Sequence, residues 1–118
     1  MESKQILEIA TKAADSKRAE DIIAMDMEGM STVTDYFLIM NGAQSAKFKL
    51  LQMLLLKKMD EAQITIKRVE GRDAGRWVLI DLGDVFVHVF DEDDRSYYNL
   101  EKLWSDAPFV DLSEWIEE

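Results

Sequence analysis

The chain has 118 residues, the length of one domain, and 47% of them are apolar, so it is neither disordered nor fibrous. It has no cysteine, which excludes a disulfide framework, thiolate metal sites and a thiol nucleophile, and fits a reducing cytoplasm. The net charge of −10 disfavours direct contact with nucleic acid phosphates and favours either plain solubility or a basic protein partner.

The first residues, MESKQILEIATKAADSKRAED, have no apolar core of the signal-peptide kind. No segment approaches the ~18 apolar residues of a membrane span, so no membrane partner is expected. No repeat, linker or low-complexity stretch interrupts the chain, and one domain over residues 1–118 is expected.

Residues 4–15 predict a helix, with Ile6, Ile9, Ala10 and Ala13 at helical spacing and Ser3 as a candidate cap. DIIAMDM (Asp21–Met27) and DYFLIM (Asp35–Met40) predict strands, closed by Glu28-Gly29 and Asn41-Gly42. Their near-continuous apolar runs suit strands covered on both faces. Residues 45–62 predict the longest helix, with Phe48, Leu51, Leu55, Met59 and Ala62 in one stripe. Leu50 and Leu54 widen the stripe and Met53 lies almost opposite. A wide core stripe with an incidental surface methionine explains them; the alternative is contact of this second patch with another protein or a second copy, so a homodimer is one expectation.

ITIKRV (Ile64–Val69), RWVLIDL and DVFVHVF predict three further strands. Leu82-Gly83-Asp84-Val85 joins the last two, and glycine at the first central position suits a two-residue type II′ turn. DDRSYYNLEKLW then predicts a helix, with Tyr97, Leu100 and Trp104 on one side and Asp93 and Asp94 at its start. SDAPFVDLSEWIEE reads as a tail with a final helical turn. The order is α-β-β-α-β-β-β-α: an α/β (α+β) sandwich with a mixed five-stranded sheet and flanking helices.

The turn sets the hairpin register. If Leu82 pairs with Val85, Asp81 opposes Phe86, Leu79 opposes His88, and Trp77 opposes Phe90. One face is then wholly aliphatic: Val78, Ile80, Leu82, Val85, Val87 and Val89. The other carries Trp77, Leu79, Asp81, Phe86, His88 and Phe90. For catalysis, His88 lacks a nucleophile, and Asp81 lies only on its diagonal. No G-x-S-x-G elbow is present. One histidine and scattered acids give no metal-ligand spacing, so neither metal nor other cofactor is expected. Gly71, Gly75 and Gly83 form no dinucleotide or phosphate-loop motif. Lys47, Lys49, Lys57 and Lys58 are spread around their helix with acids nearby, so no direct nucleic-acid specificity is expected. Aromatic residues ringed by carboxylates suit a protein interface, with Trp77 at the end of the sheet and Tyr97, Tyr98 and Trp104 on the following helix. Packing alone would explain Trp104 and Leu100 better than Trp77 and Tyr98.

Three blocks, AEDIIAMDMEGMSTVTDYFLI, VEGRDAGRWVLIDLGDVFVHVF and YYNLEKLWSDAP, strongly resemble the ribosomal silencing factors, the Iojap-related family. The likeness covers residues 19–108, and the tail 109–118 lies beyond it. The resemblance implies a cytoplasmic protein that is not an enzyme. It would bind the large ribosomal subunit through the basic fourteenth universal ribosomal protein, block joining of the small subunit and repress translation when nutrients are short. It also implies a fold related to nucleotidyltransferases. The matching positions are Trp77, Asp81, Gly83, Asp84 and His88, then Tyr98, Leu100, Leu103 and Trp104. Trp77, Asp81, Tyr98, His88 and Leu100 are carried over as partner-binding residues, with Trp77, Asp81 and Tyr98 at the contact itself. Leu103 and Trp104 hold the helix to the sheet. The nearest match to a catalytic acid pair is Asp26-Met27-Glu28, with no Gly-Ser ahead of it, so the sequence departs from the nucleotidyltransferase pattern. A large-subunit assembly factor and a nucleotide-binding enzyme using Asp26 and Glu28 remain the alternatives. Trp115, in the tail, either packs back on the domain or meets a partner.

Overall fold

The computed structural model describes residues 2–30, 32–42, 45–71, 77–91, 102 and 104–116. In chain order these form α1 (Ser3–Ser16), β1 (Glu20–Asp26), β2 (Tyr36–Gly42), α2 (Ser45–Glu61), β3 (Arg68–Glu70), β4 (Trp77–Asp81), β5 (Val85–Asp91) and β6 (Phe109–Val110). The strands make one six-stranded sheet in the order β3-β4-β5-β2-β1-β6. Only β2 and β5 run parallel; every other pair is antiparallel. The architecture is thus the expected mixed sheet with helices, but it has a sixth strand where the sequence predicted five. Phe109 and Val110 pair with Met25 and Ala24. Two residues are too few for a period-2 pattern, and Pro108 beside them reads as a breaker. The expected helix over DDRSYYNLEKLW falls almost wholly outside the described residues.

Both described helices pack on one face of the sheet. Phe48, Leu51, Leu55 and Met59 of α2 are each 3% exposed or less. They meet Leu38, Met40, Val78, Ile80, Val85, Val87 and Val89, together with Leu7, Ala10 and Ala14 of α1. A fully buried side chain of this size contributes about 1.5–3 kcal/mol, so this layer is the main apolar core. Leu50 and Met53 stand on the far side of α2, 53% and 60% exposed. In the tail, Trp115 and Ile116 pack back on the helix-side core.

The helix ends follow from hydrogen bonding rather than from residue type. Glu2, not Ser3, is the N-cap of α1, and its backbone N–H donates to Gln5 Oε1 at 2.9 Å. At the other end of α2, Ile64 N donates to Met59 O and Gln63 N to Asp60 O, the paired bonds of a Schellman cap. Gln63 takes the left-handed conformation there, φ 61°. α1 ends the same way: Ala19 N donates to Ala14 O and Arg18 N to Asp15 O, with Arg18 at φ 60°.

The β4–β5 register matches the expectation pair for pair: Trp77↔Phe90, Leu79↔His88 and Asp81↔Phe86. Leu82 N donates to Val85 O at 3.0 Å. Gly83 has φ +87° and Asp84 is not among the positive-φ residues, as a type II′ turn requires. β3 begins later than predicted. Residues 64–67 carry no strand pairing, although Lys67 N reaches Asp81 O at 2.8 Å.

Candidate functional site

The face turned away from α1 and α2 is the aromatic one. Side chains alternate along each strand, so the register lines up residues across the sheet. Arg68, Asp81, Phe86, Phe37, Met25 and Phe109 form one row through all six strands. Glu70, Leu79, His88, Ile39 and Ile23 form the next. Met25, Met27, Phe37, Ile39, Phe90 and Ala107 make its buried cluster, with Ile23, Trp77, Phe86 and Trp104 packed partly buried around it. Trp104 meets Phe37 edge-on, with ring centroids 6.0 Å apart at 88°. Trp104 therefore packs on the sheet, while nearly all of the helix it was expected to hold there, Leu103 included, lies outside the described residues.

Trp77 is half-buried at the start of β4, stacked on Phe90 with centroids 5.2 Å apart at 21°. Its indole N–H donates to His88 Nδ1 at 3.1 Å. His88 is 4% exposed, and its ring stands edge-on to Phe37 at 4.7 Å. Burial pushes the imidazole pKa down from 6.5 to about 3, so it is neutral at ordinary pH. Gly71 explains how the chain passes so close to Trp77. A Cβ at Gly71 would lie 2.2 Å from the Trp77 carbonyl oxygen, and φ there is +86°. A cavity of about 270 Å³ opens at the same place, lined by Glu70, Gly71, Trp77 and Leu79 among the described residues.

Asp81 is 7% exposed and engaged inside the fold. Its Oδ2 accepts from Arg68 Nε at 2.9 Å and its Oδ1 from Gly83 N at 2.8 Å. One carboxylate thereby ties β3 to β4 and closes the hairpin turn. The structure therefore brings Trp77 and His88 into direct contact and sets Asp81 on the same face with different partners. Tyr98 and Leu100 lie outside the described residues. Sequence reading missed the central part played by Phe37, because nothing local says that β2 pairs with β5 in parallel. It also missed Arg68 as the partner of Asp81. The signal was available in the alternation of β3, but only with a pairing register to apply it to.

Asp26 and Glu28, the alternative acid pair, form a local turn in which Glu28 N donates to Asp26 Oδ1 at 2.9 Å. Among the described residues no three His, Cys, Asp or Glu side chains cluster as metal ligands would. Tyr36 beside this turn has its hydroxyl pKa raised, first by burial and then by Glu28, Asp26 and Asp35. No described helix is long and apolar enough to cross a membrane.

Comparison with known proteins gives a consistent answer. The model of the family described as ribosomal silencing factor during starvation, RsfS, matches residues 1–118. The chain is 56% identical over 112 residues to ribosomal silencing factor RsfS of Bacillus subtilis, covering 95% of each protein. A crystal structure of a Bacillus halodurans protein is 48% identical, with TM-score 0.81, covering 92% of this chain and 99% of that one. A second, from Chromobacterium violaceum, is 33% identical with TM-score 0.84, covering 89% of this chain and 88% of that one. More distant similarity reaches the mouse protein named mitochondrial assembly of ribosomal large subunit protein 1, 29% identical over 80% of this chain and 43% of that one. Maize chloroplastic Iojap is likewise 29% identical, over 86% of this chain and 44% of that one. The chain belongs to the RsfS family of ribosomal silencing factors.

Proposed function

We propose that this protein represses translation by binding the large ribosomal subunit through its fourteenth universal ribosomal protein and excluding the small subunit by its bulk. The observation that carries this reading is the match to a ribosomal silencing factor along 95% of the chain. The physical features fit it. A chain of net charge −10 suits a basic ribosomal protein, and the same charge is repelled by the surrounding RNA. Trp77 is an aromatic anchor of the kind that dominates protein interfaces. Tyr98 and Leu100 join it in the proposed contact. Asp81 and His88 belong to the same surface from below, Asp81 by locking the hairpin and His88 through Trp77. The mechanism needs no bond making, so the protein acts without catalysis, in the cytoplasm where ribosomes initiate.

Co-sedimentation with separated ribosomal subunits across a salt series tests this. Pelleting with the large subunit alone, weakening as salt rises, is the expected result; pelleting with neither would overturn it. Folded Trp77→Ala should lose the interaction, and a folded variant that binds normally would remove Trp77 from the contact.

A second reading, action on large-subunit precursors, draws on the name of the mouse relative. Preference for precursor particles over mature subunits in the same assay would favour it. The nucleotide-binding alternative predicts that a nucleoside triphosphate with magnesium raises the melting temperature. The turn that Asp26 and Glu28 form weighs against it. Self-association through Leu50 and Met53 predicts a dimer in sedimentation equilibrium that Met53→Glu abolishes.

A further inference from the structure

We infer that His88 is a positioning residue for the proposed ribosome contact: its buried Nδ1 holds the indole of Trp77 in a fixed plane at the surface. The inference rests on the function proposed above and extends it from the anchor to the group that aims the anchor.

The hydrogen bond with Trp77 fixes the tautomer of the His88 imidazole. Nδ1 accepts the indole N–H at 3.1 Å, so the proton of the neutral ring sits on Nε2. Nε2 is buried and has no hydrogen-bond partner among the described residues. A buried donor left unpaired is unfavourable, and replacing such a group by an apolar one of similar shape relieves that cost. The surroundings would accept an apolar residue. Phe37 lies edge-on at 4.7 Å, and Leu79 and Ile39 flank His88 in its row. For packing alone, histidine is a poor choice here. Among the described residues its one favourable polar interaction is with Trp77.

That hydrogen bond adds a directional restraint on the indole. Stacking on Phe90 restrains the tilt of the indole, and the hydrogen bond selects which edge faces inward. The backbone of Trp77 is held independently by the close approach of Gly71. An anchor ordered before binding loses less conformational entropy on docking, so affinity should follow the hydrogen bond.

The test compares His88→Asn, which keeps an acceptor near the place of Nδ1, with His88→Leu, which has similar size and no acceptor. Three readouts are needed. They are urea unfolding at pH 7, the Trp77 indole N–H resonance (identified by its loss in Trp77→Phe), and co-sedimentation with large ribosomal subunits. His88→Leu is expected to fold at least as stably as the parent, to show a shifted and faster-exchanging indole proton, and to bind about tenfold more weakly. His88→Asn should restore binding to within about threefold of the parent, a rescue that a purely structural role would not produce. Folded His88→Leu binding as well as the parent would overturn the proposal, as would folded His88→Asn binding no better than His88→Leu. The parent alone supplies a further arm: a Trp77 indole proton exchanging as fast as a solvent-exposed one would overturn it without any variant. Parent protein that pellets with neither subunit would overturn the proposed function and this proposal with it. Parent binding with an unaffected Leu variant would overturn this proposal alone.

Discussion

On the helix side of the sheet, Leu38, Val78, Val87 and Val89 are at most 2% exposed and carry no hydrogen-bonding side-chain group. On the other side, Asp81, His88 and Asn41 lie nearly as deep, at 7%, 4% and 4%, among aromatic rings. The same strands supply both sets, since neighbouring residues point to opposite faces. These helix-side strand positions are filled by apolar volume; Thr11 and Gln52, also buried, belong to the helices. The aromatic side is specified by individual partners, Arg68 and Gly83 for Asp81 and Trp77 for His88. Burying polar groups that could have been apolar is the arrangement expected where a surface serves something besides stability.

Substitutions that respect or violate this division should differ in size. Leu38→Ala, in the middle of the helix-side layer, should lower stability by about 2–5 kcal/mol in urea unfolding, because a central site cannot collapse around the void. A loss under 1 kcal/mol would mean that this layer is looser than its burial implies.

His88 predicts a pH dependence. Its folded pKa is about 3, below the usual 6.5. In that interval the unfolded chain binds the proton and the folded chain does not. The contribution is therefore complete above pH 6.5 and is lost as pH falls toward 3. Between pH 7 and 5 this term should amount to about 2 kcal/mol, measured as the parent slope minus that of His88→Leu. Identical slopes would place the imidazole in water.

Asp81→Ala removes the acceptor for Gly83 N and for a half-exposed Arg68. About 1–2 kcal/mol is expected, less than a buried ion pair would lose because solvent screens the guanidinium. Gln63→Gly should raise stability by about 0.5–1 kcal/mol by relieving the left-handed backbone at the end of α2. Phe109→Ser changes a side chain that is 64% exposed. Its effect on stability should stay within about 0.5 kcal/mol, measured beside its effect on large-subunit pelleting.

Several elements were legible from local pattern. α2 was predicted over 45–62 and spans Ser45–Glu61, because its stripe recurs over four turns. The hairpin was legible to the residue, because a two-residue turn leaves no freedom in the register. The helix C-termini were harder to read. Arg18 and Gln63 occupy positions that glycine usually marks, so the familiar stop signal was missing. Within the candidate site, the face shared by Trp77, Asp81 and His88 followed from alternation alone. Their partners did not. The sequence left Asp81 on the diagonal of His88, whereas each found a different partner.

What the sequence by itself determined were the properties that arise within one turn or one strand. These are the helix stripe, the two faces of the hairpin, the acidic charge and the family likeness. What only the tertiary structure decided were the contacts between distant segments. They include β2 running parallel to β5, a two-residue β6 completing the sheet, Arg68 reaching Asp81, and Phe37 closing over His88. The physical reason is that local patterns act through bonds and fixed periods. Strand order and side-chain partners are chosen by the simultaneous packing of all elements, and no short stretch carries that information.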